Sequence, residues 1–159
     1  IIPIMRKQGH GRIIQCSSVL GFVSMTYRGA YNASKYALEG LTDTLRLELQ
    51  SANIAVVLLE PGPINTQFRV NALAAFKKNI DDKNSAHKLQ YQRQVDRLSS
   101  KRVDAKFTLE PADVTKALIH ALENKKPKIR YRITVLTKLF SFLKRILPSR
   151  WLDNILLKG

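Results

Sequence analysis

The run Ile54-Ala55-Val56-Val57-Leu58-Leu59, closed by Glu60-Pro61-Gly62-Pro63, decides the fold. Six consecutive apolar residues stopped by Pro and Gly read as a strand buried on both faces, the kind found in parallel sheets covered by helices on either side. Immediately upstream the period changes. Ala30, Ala33, Ala37, Leu38, Leu41, Leu45 and Leu49 recur at three- and four-residue spacing, with Lys35, Glu39, Asp43 and Arg46 between them, which predicts a long amphipathic helix over residues 31–49. Before it, Arg12-Ile13-Ile14-Gln15-Cys16 lies between the turn signal Gly9-His10-Gly11 and the pair Ser17-Ser18. It predicts a second buried strand, with Cys16 as a buried, unreactive thiol. Strand, helix, strand in this order is a βαβ unit, and its right-handed crossover makes the two strands parallel in one sheet. The fold class is therefore α/β with a parallel sheet.

Residues 66–106 are polar, rich in Lys, Arg, Gln and Asn, and weakly periodic, so they predict an exposed helical excursion and no further strand. Thr108-Leu109-Glu110-Pro111 opens a helix, with Thr108 or Glu110 near the cap, Pro111 in the first turn, and Val114, Ala117, Leu118, Ala121 and Leu122 as its core face. Arg130-Tyr131-Arg132-Ile133-Thr134-Val135 alternates like an edge or final strand, and residues 136–157 read as two short amphipathic helices separated by Pro148. No Pro/Gly/Ser-rich linker divides residues 1–159, which are expected to form a single domain.

With 27 Lys and Arg against 12 Asp and Glu, a formal charge of +15, and 45% hydrophobic residues, the chain is neither disordered nor fibrous. One cysteine excludes an intramolecular disulfide framework and a structural zinc site. His10, His87 and His120 are scattered without a second ligand at metal spacing, so a loop residue and two surface or packing residues are expected, and no metal. No apolar run approaches the ~20 residues that span a bilayer, and no secretory signal opens the chain, so a cytoplasmic location is expected.

The charge excess is concentrated in residues 125–159, where ten Lys and Arg face the single acid Asp153. Leu139, Phe142, Leu143, Ile146 and Leu147 are expected on one helical face, continued after Pro148 by Trp151, Leu152, Ile155 and Leu156. The basic amphipathic tail, residues 136–159, has two readings: it lies on an anionic membrane surface, or its apolar side closes a substrate pocket or packs on a neighbouring subunit. Nucleic acid is excluded as a partner, because no recognised motif or basic-aromatic platform accompanies the charge.

The chemistry concentrates on Ser18, Tyr31 and Lys35. Tyr31 and Lys35 are four apart at the start of one helix and share a face, and an ammonium beside a phenol is expected to lower a pKa that is ordinarily about 10. Ser18 follows the carboxyl end of the first strand, where open α/β sheets bind ligands, and its hydroxyl can reach an oxygen shared with Tyr31. In the loop after the second strand Pro61 stops the strand, Gly62 permits close backbone approach, and Ile64 and Thr66 are positioned to face a flat ligand.

Three stretches together resemble the short-chain dehydrogenase/reductases: Gly11-Arg12-Ile13-Ile14-Gln15-Cys16-Ser17-Ser18-Val19-Leu20-Gly21, Tyr31-Asn32-Ala33-Ser34-Lys35, and Glu60-Pro61-Gly62-Pro63-Ile64-Asn65-Thr66. The resemblance is close from Ile1 to about Thr66 and general beyond it. It implies a Rossmann-like, doubly wound sheet, with Tyr31 as general acid/base and Ser18 polarising the substrate carbonyl. Lys35 would lower the tyrosine pKa and bind the nicotinamide ribose, while Pro61, Gly62, Ile64 and Thr66 line the nicotinamide.

The resemblance further implies an enzyme using NAD or NADP to interconvert an alcohol and an aldehyde or ketone, and a homo-oligomer paired through the helix at residues 31–49. A substrate lid falls at residues 67–107. Phe68, Leu73, Phe76 and Tyr91 there, with the tail, suggest an apolar substrate of the retinol, steroid or long-chain aldehyde type.

One departure from the family pattern stands out. No three of the glycines at 9, 11, 21, 29, 40, 62 and 159 have dinucleotide-fingerprint spacing. Since such a fold has two βαβαβ halves, about 90 to 100 further residues are expected ahead of Ile1, and the 159 residues alone are expected to be inactive. The alternative from another class is a non-catalytic, truncated relative whose basic tail binds a membrane or a partner.

Overall fold

The computed structural model describes residues 1–100 and 107–157. Three parallel strands, β1 (Gly11–Cys16), β2 (Ile54–Glu60) and β3 (Arg130–Arg132), form one sheet in the order β1-β2-β3. Ile13 pairs with Val56 and Leu59 with Tyr131, so the strand expected to be most buried occupies the centre. The chain is α/β, a parallel part of a Rossmann-like fold.

Alternation along β2 divides the core in two. Val57 and Leu59, with Ile14 and Tyr131, point to one face and are covered by Val114, Ala117, Leu118 and Ala121 of α5 (Pro111–Glu123). Ile54 and Val56, with Ile13, point to the other and are covered by Ile2 and Met5 of α1 (Ile2–Gln8) and by Leu45 and Leu49 at the end of α2 (Gly29–Glu48). A strand wrapped on both sides needs an apolar residue at every position, which is why β2 shows no polar alternation. Arg12 donates to the carbonyls of Ala121 and Asn124, both at 2.5 Å, and so satisfies the carboxyl end of α5 from the sheet.

Several expectations are corrected. β1 lies at the sheet edge, is only half-buried, and leaves Cys16 exposed. Leu122 of α5 is 50% exposed and lies off the core face. α1 gave no periodic signal because seven residues hold only two turns; Pro3 near its start and left-handed Gly9 at its end are what bound it. The stretch expected to be strand up to Val135 stops at Arg132. Thr134 there accepts a hydrogen bond from the Thr137 N–H and begins α6 (Val135–Ile146).

The apolar stripe of α2 faces the sheet only at its carboxyl end, through Leu45 and Leu49: Leu41 is 56% exposed, whereas Asn32, Glu39 and Thr42 are buried. The reason is an ion-pair network. Arg130 of β3 reaches Glu39 at 3.1 Å, Asp43 at 2.8 Å and Glu60 at 2.8 Å, and Arg132 reaches Glu60 at 3.2 Å, so the polar side of α2 turns inward. Burial, then the nearby Glu39 charge, pushes the Glu60 carboxyl up, against the pull of the two arginines.

The excursion consists of α3 (Phe68–Asn79) and α4 (Lys88–Ser99), joined by an edge-to-face contact of Phe76 with Tyr91 at 5.5 Å. The region assigned as residues 67–107 includes residues 101–106, which lie outside the described residues. After Pro148 comes α7 (Ser149–Leu156), the last helix of the described residues.

Candidate active site

The carboxyl ends of β1 and β2 release two loops side by side. The Ser17 N–H donates to Leu59 O at 2.8 Å, and the Val19 N–H to Pro61 O at 2.9 Å, so the Ser18 loop and the Pro-Gly loop are joined by backbone hydrogen bonds. Ser18 is buried and extended, and its Oγ accepts the Leu20 N–H at 3.2 Å, capping the turn Val19–Gly21. That bond uses one lone pair. The hydroxyl proton is turned to the Tyr31 phenol.

α2 brings Tyr31 and Lys35 to this same place from its first two turns. The Lys35 Nζ donates to Cys16 O at 2.8 Å and sits 5.7 Å from the centre of the Tyr31 ring. Anchoring on a backbone carbonyl of β1 fixes the lysine at the sheet end. The Tyr31 phenol is shifted upward from its ordinary value, contrary to the lowering expected from Lys35. Burial is the main cause, the hydrogen-bonding Ser18 hydroxyl pulls the other way, and the Cys16 thiol adds to the rise. Ser18, Tyr31 and Lys35, separated by up to 17 positions, are thus gathered at one strand end.

The Pro-Gly loop is held on its other sides by contacts with no counterpart in the sequence pattern. A Cβ on Gly62 would stand 2.2 Å from the Oγ1 of Thr134 and 2.8 Å from that of Thr137, so the space freed by glycine is taken by the start of α6. Both threonines are fully buried, and their hydroxyls lie 2.9 Å apart. Ile64 bridges to Leu109, with the Asn65 N–H donating to Leu109 O at 2.9 Å, and Thr66 Oγ1 accepts the Phe68 N–H at 3.2 Å where α3 begins.

Of the four apolar residues singled out in the excursion, Phe68 meets Tyr31, edge to face at 5.6 Å, while Phe76 and Tyr91 pack on one another. A groove of about 440 Å³ near Ala117, Tyr131 and Lys138 is lined by none of Ser18, Tyr31 and Lys35. The remaining histidines have packing duties: His120 bonds the Tyr131 hydroxyl at 2.7 Å, and His87 lies against Tyr27 and Tyr91.

Comparison with known proteins agrees with this layout. Residues 1–76 match the model of the short chain dehydrogenase family. The chain is 41% identical over 156 residues to the uncharacterized oxidoreductase YbbO of Escherichia coli K12, covering 98% of this chain and 52% of that protein. It is 28% identical over 146 residues to human retinol dehydrogenase 8, covering 92% and 47%. It thus spans about half the length of the curated relatives it matches. A Burkholderia cenocepacia short chain dehydrogenase solved in complex with NADP shares the fold, with a TM-score of 0.62 at 18% identity over 91% of this chain and 48% of that one. A relative 41% identical along nearly all of these residues, and the family match over residues 1–76, lead to one assignment: the chain belongs to the short-chain dehydrogenase/reductase family.

Proposed function

We propose that the protein is an NAD- or NADP-dependent oxidoreductase that interconverts an alcohol and an aldehyde or ketone, with Ser18, Tyr31 and Lys35 as its catalytic residues. The observation that carries this reading is the meeting of the three side chains at the end of β1, beside a Pro-Gly loop bonded to the Ser18 loop. The donor set fits the nicotinamide end of such a cofactor: an ammonium and a phenol on one side, and the loop of Pro61, Gly62, Ile64 and Thr66 on the other. When bound, the dinucleotide supplies or accepts the hydride.

Each residue then has a defined task. Tyr31 gives its proton to the carbonyl oxygen as the alcohol forms, and takes it back in the reverse direction. Ser18 turns its hydroxyl proton from the Tyr31 phenol to the same oxygen and steadies the developing charge. Lys35, fixed on Cys16 O, holds the ribose and keeps positive charge near the phenol. Glu60 with Arg130 and Arg132 holds the end of β2, and so the start of the Pro-Gly loop, against α2.

Residues 67–107 act as the substrate lid. Phe68, 53% exposed and set edge to face against Tyr31, gives the reacting end an apolar wall, which suits a substrate of the retinol, steroid or long-chain aldehyde type. The human relative's name, retinol dehydrogenase, is of that class. The outward stripe of α2, with Leu41 and Leu47 more than half exposed, is the surface for a second copy of the chain. The reading is tested by following NADH and NADPH oxidation by the intact protein with retinal, a steroid ketone, a long-chain aldehyde and small hydrophilic carbonyls. At least one apolar carbonyl is expected to exceed the hydrophilic ones tenfold or more in kcat/KM. A preference for hydrophilic carbonyls would refute the substrate class, and no turnover of any carbonyl would refute the activity.

A further inference from the structure

The two tail helices each carry apolar residues on two sides. Phe140, Leu143 and Leu147 of α6 and Leu152 and Leu156 of α7 pack on Val19, Leu20 and Val23, the loop that follows Ser18. A second stripe points away from that cluster. Val135, Leu139, Phe142 and Ile146 recur at spacings of four, three and four along α6 and are 66, 46, 59 and 55% exposed. Trp151 and Ile155, four apart on α7, are 64 and 41% exposed. Because both helices turn their inner sides to one cluster, the two outer stripes both face away from it. The expectation of a single apolar face is thereby corrected: four of those nine side chains, Leu143, Leu147, Leu152 and Leu156, belong to the core cluster, and the other five are exposed.

We propose that this outer face docks the protein on an anionic bilayer surface, lying in the interface without crossing it. Charge identifies the occupant. Lys138, Arg145 and Arg150 are exposed on the same two helices, Lys125, Lys126 and Lys128 are exposed just before them, and Asp153 is the one acid in residues 125–157. Arg130 and Arg132 are committed to Glu39, Asp43 and Glu60, and Lys144 to the Phe22 carbonyl and the Tyr36 hydroxyl, so they are not counted. An apolar stripe bordered by cations, with a tryptophan on it, matches the boundary between acyl chains and lipid phosphates. α6 and α7, of twelve and eight residues, are ~18 and ~12 Å long against a hydrocarbon core of ~30 Å. No helix among the described residues is long and apolar enough to cross a membrane. The proposal is independent of the redox chemistry and stands or falls separately.

The test is sedimentation of the intact protein with phosphatidylcholine vesicles, with and without phosphatidylglycerol, at low and high salt. Wild type is expected to bind the phosphatidylglycerol vesicles at least tenfold more tightly than phosphatidylcholine alone, and less tightly at high salt. A triple variant Leu139→Ser, Phe142→Ser, Ile146→Ser is expected to lose tenfold or more. A second readout needs no altered stripe: vesicles are expected to shift the fluorescence of wild type to the blue relative to Trp151→Phe. Wild type remaining in the supernatant, a triple variant that binds as well as wild type, or no Trp151 shift would each overturn the proposal. So would a triple variant that turns an oligomer into monomers while vesicle binding is retained, since the face would then be a subunit contact.

Discussion

Ser18 does two things at once, and they are separable by mutation. Its Oγ accepts the Leu20 N–H and caps the turn, while its hydroxyl lowers the pKa of Tyr31 against the opposing effect of burial. Ser18→Ala is expected to cut turnover by ~10²-fold, as loss of one polarising donor does. The sign of the pH effect follows as well. Alcohol oxidation needs the Tyr31 phenolate, and removing a group that favours phenolate raises the phenol's pKa, so the ascending, acid-side limb of the oxidation profile should move to higher pH in Ser18→Ala. A limb that stays in place or moves down in pH would detach Ser18 from Tyr31. Lys35 illustrates the limit of spacing arguments. Its position four after Tyr31 foretold a shared helix face, but not that its ammonium would be spent on Cys16 O, which only the packing of α2 against β1 decides.

At the scale of elements, the contact between the Pro-Gly loop and α6 has a direct consequence. Gly62→Ala places a Cβ against the Thr134 hydroxyl and is expected to cost about 1–3 kcal/mol through overpacking. Thr134→Ala alone loses the helix cap, for about 0.5–2 kcal/mol. Together the two should cost less than their sum, because the second removes the atom that the first strikes. Strict additivity in denaturant unfolding of the intact protein would show that the loop evades the clash. β2 and α5 were readable from sequence because burial on a sheet face imposes apolar residues locally. β3 was overextended because Thr134 and Val135 continue its alternation, although Thr134 is a cap. The inner side of α2 was misread for another reason: Arg130 meets Glu39 and Asp43 across 91 and 87 positions, and no local period records such a pairing. The Ser18, Tyr31 and Lys35 set was readable because its spacing is carried within one strand-loop-helix unit.

For the whole molecule, the described residues gather at one end of the sheet the strand ends, the three polar groups, the Pro-Gly loop and a tail seated on the Ser18 loop. None of the seven glycines forms a dinucleotide fingerprint, so under the proposed function these residues would hold the nicotinamide end of the cofactor and not its pyrophosphate. On the proposed reading activity belongs to the intact protein, and its central claim is that the proton comes from Tyr31. The most direct measurement is the kcat of intact wild type and Tyr31→Phe on the same apolar carbonyl with saturating NADPH or NADH, with cofactor affinity determined alongside. Loss of only the phenolic oxygen is expected to abolish turnover while cofactor affinity stays within a few fold. Turnover of Tyr31→Phe within threefold of wild type would contradict the account.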